Sequence, residues 1–298
     1  MKRQVLAALA AIAAATLAGC GGGGSGTTTA ASTTVSGTVA DGYLANAQVF
    51  LDKNGNYQLD PGEPNAMTTT GGKYTMTVTA GDQTKYPMVV RAIAGTTTDQ
   101  DSGTVGQGYV MTAPAGIAGF ISPMSTLIEE KMAANPGMTL TDAMVQLRNQ
   151  LNLPATMSML GDYVAGGSQA GTNQTNYQFM HQLAQQMVTL MQSQAGTVMG
   201  SGGSGTVYAG RYRAMMGTIN QNLPQLANNV TTGAGTGSTF MTTMRTQMQA
   251  MLGSMPMTAG FGNYSSLFRN MTSHSYFWNY SGNSWQPHNG MGGGMGMM

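Results

Sequence analysis

The feature that most constrains the fold is a change in hydrophobic period near residue 113. Over residues 35–112, apolar and polar residues alternate in short runs, a period of two that is typical of half-buried β-strands. Over residues 113–288, apolar residues recur every three or four positions, which is typical of amphipathic helices. A pattern of one period does not suit the other kind of element. The sequence therefore predicts an α+β chain of two domains, strands first and helices second.

The predicted strands are short and are separated by turn signals. Asp41-Gly42 and Gly71-Gly72 are dipeptides that favour tight turns. The four clearest alternating runs cover residues 35–39, 47–51, 74–78 and 88–93. Short strands at this spacing predict an antiparallel β-sandwich over residues 35–112.

The predicted helices begin with Ser122-Pro123, because serine is a common N-cap and proline is favoured in the first helical turn. Apolar stripes at helical spacing lie in residues 124–132, 140–151, 179–191, 208–226 and 240–251. Methionine fills many of the places in these stripes that leucine normally takes, and it packs well into irregular gaps. The sequence thus predicts an α-helical bundle with a methionine-rich core over residues 113–288.

The N-terminus has the features of an export signal. A basic pair precedes an apolar run, residues 5–17, that is too short to span a bilayer as a stable helix. The run ends in Leu17-Ala18-Gly19-Cys20, which resembles the lipobox of bacterial lipoproteins. The resemblance implies that residues 1–19 are a cleaved lipoprotein signal peptide and that Cys20 carries the lipid, including palmitate. A plain secretory signal with a stray cysteine is the alternative, but lipidation explains why an exported chain has a single cysteine.

The segment after Cys20 predicts how the chain is held at the membrane. Residues 20–34 are rich in Gly, Ser and Thr and read as a flexible tether. Gly21, rather than an aspartate, follows the cysteine, and by resemblance to enterobacterial sorting this favours the outer membrane. Several acyl chains give stable anchoring, so the predicted partner of Cys20 is the membrane itself.

The distribution of charge bears on catalysis and on nucleic-acid binding. All eleven acidic residues lie at or before Asp162, so residues 163–298 contain no carboxylate side chain. Half of the chain therefore lacks the residue type that enzymes commonly use as acid, base or metal anchor. A net charge of +1 gives no field that would attract nucleic acid. We expect a non-enzymatic protein; a hydrolase stays open only because Asp and Glu occur in residues 41–162.

One short polar stretch, DKNGNYQLDPGE at residues 52–63, resembles a calcium loop of the EF-hand type. Six residues stand at the places that supply ligands in such loops: Asp52, Asn54, Asn56, Gln58, Asp60 and Glu63. Hard oxygen donors at alternating places suit Ca²⁺. Tyr57 departs from the pattern, because the EF-hand has glycine at this sixth place for a sharp turn. Calcium binding is the prediction, and a metal-free polar turn between two strands is the alternative.

The stretch around this loop resembles the carboxypeptidase-regulatory-like and SdrD-B/Cna-B-like sandwich repeats of bacterial surface proteins. The matching residues are Gly37, Val39, Asp41, Gly42, Ala47, Val49, 51–56, Asp60, Gly62, Glu63, Thr70, Gly72 and Tyr74. Asn46 and Tyr57 stand where the family pattern has glycine. The resemblance covers about a quarter of the chain and implies a prealbumin-like β-sandwich with a calcium loop in some members. It implies a structural or adhesive module with a protein or polysaccharide partner at the cell surface.

A second similarity lies at the start of the helical part. Residues 121–128, ISPMSTLI, resemble a segment that often follows such a module in bacterial envelope lipoproteins. This similarity supports membership of that group and implies no mechanism.

The C-terminal region allows a different function. Soft thioether and imidazole ligands, which suit Cu(I), cluster near the end of the chain at His274, His288, Met291, Met295, Met297 and Met298. A periplasmic copper-binding lipoprotein is therefore the alternative to a structural one. Glycine spacing predicts that residues 289–298 are disordered. The aromatic residues 276–280 and Trp285 either contact a partner or cover the bundle.

Overall fold

The structure is a computed structural model that describes residues 31–201 and 205–257. It contains β-sheets and eight α-helices within these ranges, with 44% of the described residues helical and 19% in strands. The strands lie between Ser32 and Ile121, and the helices follow between Pro123 and Ser254. The predicted α+β class and the order of strands before helices are confirmed. The finer division into two domains at residue 113 stays a prediction.

Ten strands form three sheets in the described ranges. They are β1 (Ser32–Val39), β2 (Leu44–Ala45), β3 (Gln48–Leu51), β4 (Asn65–Met67), β5 (Lys73–Thr79), β6 (Met88–Ala92), β7 (Thr98–Asp99), β8 (Gly103–Thr104), β9 (Tyr109–Ala113) and β10 (Phe120–Ile121). The sheet orders are β10-β1-β5, β2-β7-β8 and β4-β3-β6-β9. All pairs are antiparallel except β1 with β10, which is parallel.

Alternation explains why the long strands form where they do. In β5, every second residue is buried, and Met76 lies opposite Val35 of β1. Because side chains alternate across a strand, this register places the apolar residues on one face and the threonines on the other. Each of the four predicted alternating runs lies in a strand, with at most one residue outside it. The two-residue strands β2, β7, β8 and β10 are too short to produce a periodic signal.

The eight helices are α1 (Pro123–Ala134), α2 (Leu140–Gln150), α3 (Tyr163–Ser168), α4 (Gln174–Ser193), α5 (Ala195–Val198), α6 (Ala209–Gln221), α7 (Leu223–Thr231) and α8 (Thr239–Ser254). The predicted start of α1 is confirmed: Ser122 is the N-cap and forms a capping box with Ser125. Thr139 and Asp142 form the same motif at α2. No helix in the part of the chain that the structure describes is long and apolar enough to cross a membrane.

The predicted stripe at residues 208–226 is two helices rather than one. The break lies at Asn222, whose side-chain nitrogen donates to the carbonyl of Thr218 in the last turn of α6. Pro224 then stands in the first turn of α7, where it lacks only an N–H that would have no helical partner. The apolar spacing continues across the break because both helices bury residues in the same core.

One continuous apolar core joins the strands and the helices, from Val35 to Leu252. Helix α1 packs against β9, where the backbone N–H of Thr112 donates to the Thr126 hydroxyl over 2.9 Å. The helical methionines that are buried in this core are Met124, Met180, Met187, Met191, Met215, Met216, Met241, Met244 and Met248. The prediction that methionine fills core places in the helices is confirmed.

Candidate functional site

The candidate calcium loop, residues 52–63, connects β3 to β4 and is organised by the carboxylate of Asp52. This side chain is buried. One of its oxygens accepts the backbone N–H of Gly55 at 2.8 Å, and the other accepts that of Tyr57 at 2.9 Å. Two backbone N–H groups that follow Asp52 in the chain thus converge on its side chain. Asp52 therefore acts as the centre around which the first half of the loop turns.

Glu63 closes the second half of the same loop. Its Oε1 accepts the backbone N–H of Lys53 at 2.7 Å, and its Oε2 accepts that of Asp60 at 2.9 Å. The bond to Lys53 joins the two ends of the loop, and the bond to Asp60 holds the turn just before Glu63. The loop is also held from outside, because the Lys53 ammonium lies 2.9 Å from a carboxylate oxygen of Asp82.

The two asparagine amides of the loop point their nitrogens at Asp60. Asn54 Nδ2 and Asn56 Nδ2 each lie 2.7 Å from Asp60 Oδ2. The amide oxygens face the backbone instead: that of Asn54 accepts the N–H of Asn56 at 3.2 Å, and that of Asn56 accepts the N–H of Gln58 at 2.8 Å. The predicted ligand residues are therefore brought together, but N–H groups occupy the space beside Asp60 that a cation would need.

The loop fits calcium in composition but not in this orientation. Calcium requires six to eight oxygen ligands, and the residues offer enough carboxylate, amide and carbonyl oxygens. However, no group of three or more His, Cys, Asp or Glu side chains in residues 31–201 and 205–257 is arranged to hold a metal. To bind a cation here, Asn54 and Asn56 would have to turn their amide nitrogens away from Asp60. Calcium binding at Asp52, Asn54, Asn56, Gln58, Asp60 and Glu63 stays a prediction with this structural requirement.

Tyr57 explains the departure from the EF-hand pattern. Its backbone has φ +61°, the left-handed conformation for which the pattern uses glycine. The tyrosine side chain is buried, and its ring centroid lies 4.5 Å from that of Tyr212 in α6. The contacts of the ring offset the cost of the left-handed backbone, which is about 1–2 kcal/mol for a residue with a Cβ. The loop thus keeps the sharp turn and uses the sixth side chain to contact a helix.

The hydroxyl of Tyr57 links two helices that are distant in sequence. It donates to Glu130 Oε1 of α1 at 3.0 Å and accepts from Arg213 Nε of α6 at 2.6 Å. Arg213 Nε also lies 3.7 Å from Glu130 Oε2, and its guanidinium stands 5.5 Å from the Tyr57 ring centroid. These three residues, called here the Tyr57 cluster, join the loop to α1 and α6.

Burial sets the electrostatics of the Tyr57 cluster. It raises the pKa of Glu130 to about 7, against the opposing effect of Arg213. Burial likewise raises the pKa of the neighbouring Glu129 to about 7. The Tyr57 pKa is also raised, first by burial and then by the nearby Glu130 charge, so its hydroxyl keeps its proton. The cluster therefore contains one buried carboxylic acid, Glu130, whose pKa lies near neutral.

Sequence reasoning missed Glu130 and Arg213. A signal was present, because Glu129-Glu130-Lys131 places three charges in a helix whose other residues are mainly apolar or small. Charged residues that are fully buried are rare unless they are paired. A charged run at the centre of a predicted core helix indicates a buried polar contact, although it does not identify the partner.

A second polar cluster surrounds Gly42, at the turn predicted from Asp41-Gly42. A Cβ at Gly42 would lie 2.2 Å from Asp99 Oδ1 and 2.8 Å from Asp101 Oδ2, so only glycine fits there. Burial and the Asp99 charge raise the pKa of Asp41 well above its usual value. His181 Nε2 lies 2.6 Å from Asp101 Oδ2, so this histidine has a polar partner.

Several predicted residues lie outside the described ranges. They include the lipidation site Cys20, the copper candidates His274, His288, Met291, Met295, Met297 and Met298, the tail 289–298, the aromatic residues 276–280 and Trp285. The alternative of a copper-binding lipoprotein stays a prediction. Comparison of the chain with protein-family models, curated proteins and solved structures finds no match.

Proposed function

We propose that this protein is a non-enzymatic lipoprotein of the bacterial envelope, anchored through Cys20. The observation that carries the proposal is the sequence Leu17-Ala18-Gly19-Cys20 after a short apolar run. A thiol at this place accepts a lipid, and several acyl chains on one residue give stable attachment to a membrane. The proposed location is the outer membrane.

The distance from the anchor to the folded part supports this arrangement. Strand β1 begins at Ser32, so residues 21–31 separate it from Cys20. Fully extended, these residues span at most roughly 37 Å. Their Gly, Ser and Thr composition suits a flexible tether that lets the strands lie clear of lipid headgroups.

The strands are proposed to form a prealbumin-like sandwich, which a helical bundle follows. The sandwich is proposed to serve as a structural or adhesive module. Support comes from β1, β3, β5 and β6, which bury apolar residues in a common core. The loop of residues 52–63 supports the same function, because it is joined to the helices through Tyr57 and so belongs to the folded core. A protein or polysaccharide at the cell surface is the proposed partner class.

The test of the anchor uses the variant Cys20→Ala expressed in a bacterial host. We expect the wild-type chain to incorporate labelled palmitate and to fractionate with membranes. Cys20→Ala is expected to lose the label and to appear in the soluble fraction. Ser25→Ala, a change in the same tether, is the matched control and is expected to behave as wild type. Membrane retention of a processed Cys20→Ala variant would overturn the proposal.

A further inference from the structure

A groove of about 460 Å³ lies where three helices come together, away from residues 52–63. It is bounded by the end of α2, the first turns of α4 and the face of α7. The lining residues are Gln150, Leu151, Asn152, Leu153, Thr175, Asn176, Phe179, Pro224, Ala227, Asn228 and Thr231. Its size is in the range of pockets that hold small molecules or single units of a larger ligand.

The lining combines polar and apolar side chains and carries no charge. Amide and hydroxyl side chains alternate with leucine, proline and the Phe179 ring. A charged ligand that leaves water needs a charge of opposite sign to replace its hydration. None of the described lining residues supplies one. The ligand that suits this groove is therefore neutral.

The side-chain oxygen of Gln150 is the one buried side-chain polar atom among the described lining residues that accepts no hydrogen bond. Because it is shielded from solvent, a ligand in the groove would meet the accessible amides instead. The amides of Asn176 and Asn228 line the same space, and each offers two donors and an acceptor.

We propose that this groove binds one or two units of an uncharged glycan. Amide side chains match hydroxyl groups, which both donate and accept hydrogen bonds. The half-buried Phe179 ring and its apolar neighbours offer a surface for the C–H face of a sugar ring. A peptide is less suited, because three helices bound the groove and no open strand edge is present to pair with a peptide backbone. This binding does not depend on the membrane anchor.

The test measures ligand binding by saturation-transfer NMR on the full chain, held in a zwitterionic detergent without sugar groups. Maltohexaose, cellohexaose and mannohexaose are the neutral probes. Hexagalacturonate is the charged probe and hexa-alanine is the peptide probe. We expect saturation transfer to at least one neutral oligosaccharide at concentrations up to about 10 mM, in the range of weak single-site affinities, and none to the charged or peptide probe.

Variants locate the binding in the groove. Asn176→Ala removes one amide and is expected to weaken binding about two- to tenfold, the range of one hydrogen bond. Asn228→Trp fills the groove from an exposed position on α7 and is expected to abolish binding. Asn149→Ala, an exposed residue of α2 that does not line the groove, is the matched control and should bind as wild type.

The inference is overturned by any of three results. These are no transfer to the neutral oligosaccharides, transfer only to hexagalacturonate or hexa-alanine, or neutral binding that persists in Asn228→Trp. Circular dichroism of each variant shows whether its helices remain folded. Should Asn228→Trp lose them, Asn228→Phe takes its place, and persistence of binding in that variant overturns the inference equally.

Discussion

The outer face of residues 52–63 and the Tyr57 cluster beneath it use similar polar groups in opposite surroundings. On the outer face, Asn54 and Asn56 donate to Asp60 in or near solvent. In the cluster, a phenol, a carboxylate and a guanidinium meet inside the core. Water can replace a lost partner on the outer face but not in the core. The comparison teaches that burial, rather than the number of hydrogen bonds, decides which part of the loop governs stability.

The Tyr57 cluster also bears on what holds residues 52–63 in the fold. A calcium loop of the predicted kind would be held by its ion. Here Tyr57 connects the loop to α1 and α6, so the helices take part in holding it. The central claim is that this buried contact, and not the polar outer face, fixes residues 52–63 in place.

The largest effect is expected from Tyr57→Gly. Loss of a buried aromatic side chain costs about 3–5 kcal/mol, and relief of the left-handed backbone returns about 1 kcal/mol. We expect a net loss of about 3 kcal/mol, measured by urea unfolding. Asn152→Gly is the control: it relieves a left-handed residue at φ +52° without removing a ring, and should not destabilise. A Tyr57→Gly variant as stable as wild type would show that the buried contact is weak.

Calcium sharpens the comparison, because its predicted ligands lie in the loop and none of them belongs to the Tyr57 cluster. At a concentration 100-fold above its dissociation constant, bound calcium stabilises the folded chain by about 2.7 kcal/mol. Asn56→Asp replaces the N–H that faces Asp60 with a carboxylate oxygen. In chelator we expect this variant to melt at a lower temperature than wild type, because two carboxylates then face each other. In millimolar calcium we expect it to melt at a higher temperature than wild type. If the melting temperatures of wild type and variant do not change with calcium, the loop is a metal-free turn.

The pH dependence separates the buried acids from the exposed ones. Glu129 and Glu130 have folded-state pKa values raised from 4.5 to about 7, so the folded chain holds protons that the unfolded chain releases. Stability from these groups is fully present below pH 4.5 and is lost as the pH rises to about 7. We expect each of the two groups to lower the stability by about 2 kcal/mol between pH 5 and pH 7.5, measured by urea unfolding. Glu130→Gln should remove about half of this slope, and an equal slope in that variant would contradict the assignment.

The smallest effect is expected on the outer face. Asn54→Ala removes a hydrogen bond to Asp60 at an exposed position, where water takes its place. We expect a loss of less than about 1 kcal/mol in chelator, by the same unfolding assay. Thr246→Ala, which removes an exposed hydroxyl in α8, gives the baseline for a surface change. A loss comparable to that of Tyr57→Gly would reverse the comparison.

Local signals in the sequence were enough to predict much of the fold. Capping residues such as Ser122 and Thr139 act within four positions, and strand alternation is read from neighbours. The six candidate ligand residues lie near one another because all of them belong to the stretch of residues 52–63. The contacts of Tyr57 could not be predicted in this way. They join residues 73 and 156 positions apart, and no periodic pattern encodes such pairs.

The orientation of the amides shows a further limit. Residue types at 52, 54, 56 and 60 indicate an oxygen-rich loop, but an asparagine presents either an oxygen or an N–H group to its neighbour. Backbone N–H groups of the loop compete for the amide oxygens, and this competition decides which amide group faces the neighbour. The outcome depends on the folded geometry. Tyr57 is a related case, because the residue that departs from the EF-hand pattern makes the buried contact with the helices.

The central claim is tested most directly by a double-mutant cycle between Tyr57→Phe and Glu130→Gln. Free energies of unfolding are measured at pH 8, where Glu130 is mainly charged, for wild type, both single variants and the double variant. Because the two side chains share a buried hydrogen bond at 3.0 Å, we predict a coupling free energy of about 1–3 kcal/mol. Effects that add within about 0.5 kcal/mol would contradict the claim that this contact fixes the loop to the helices.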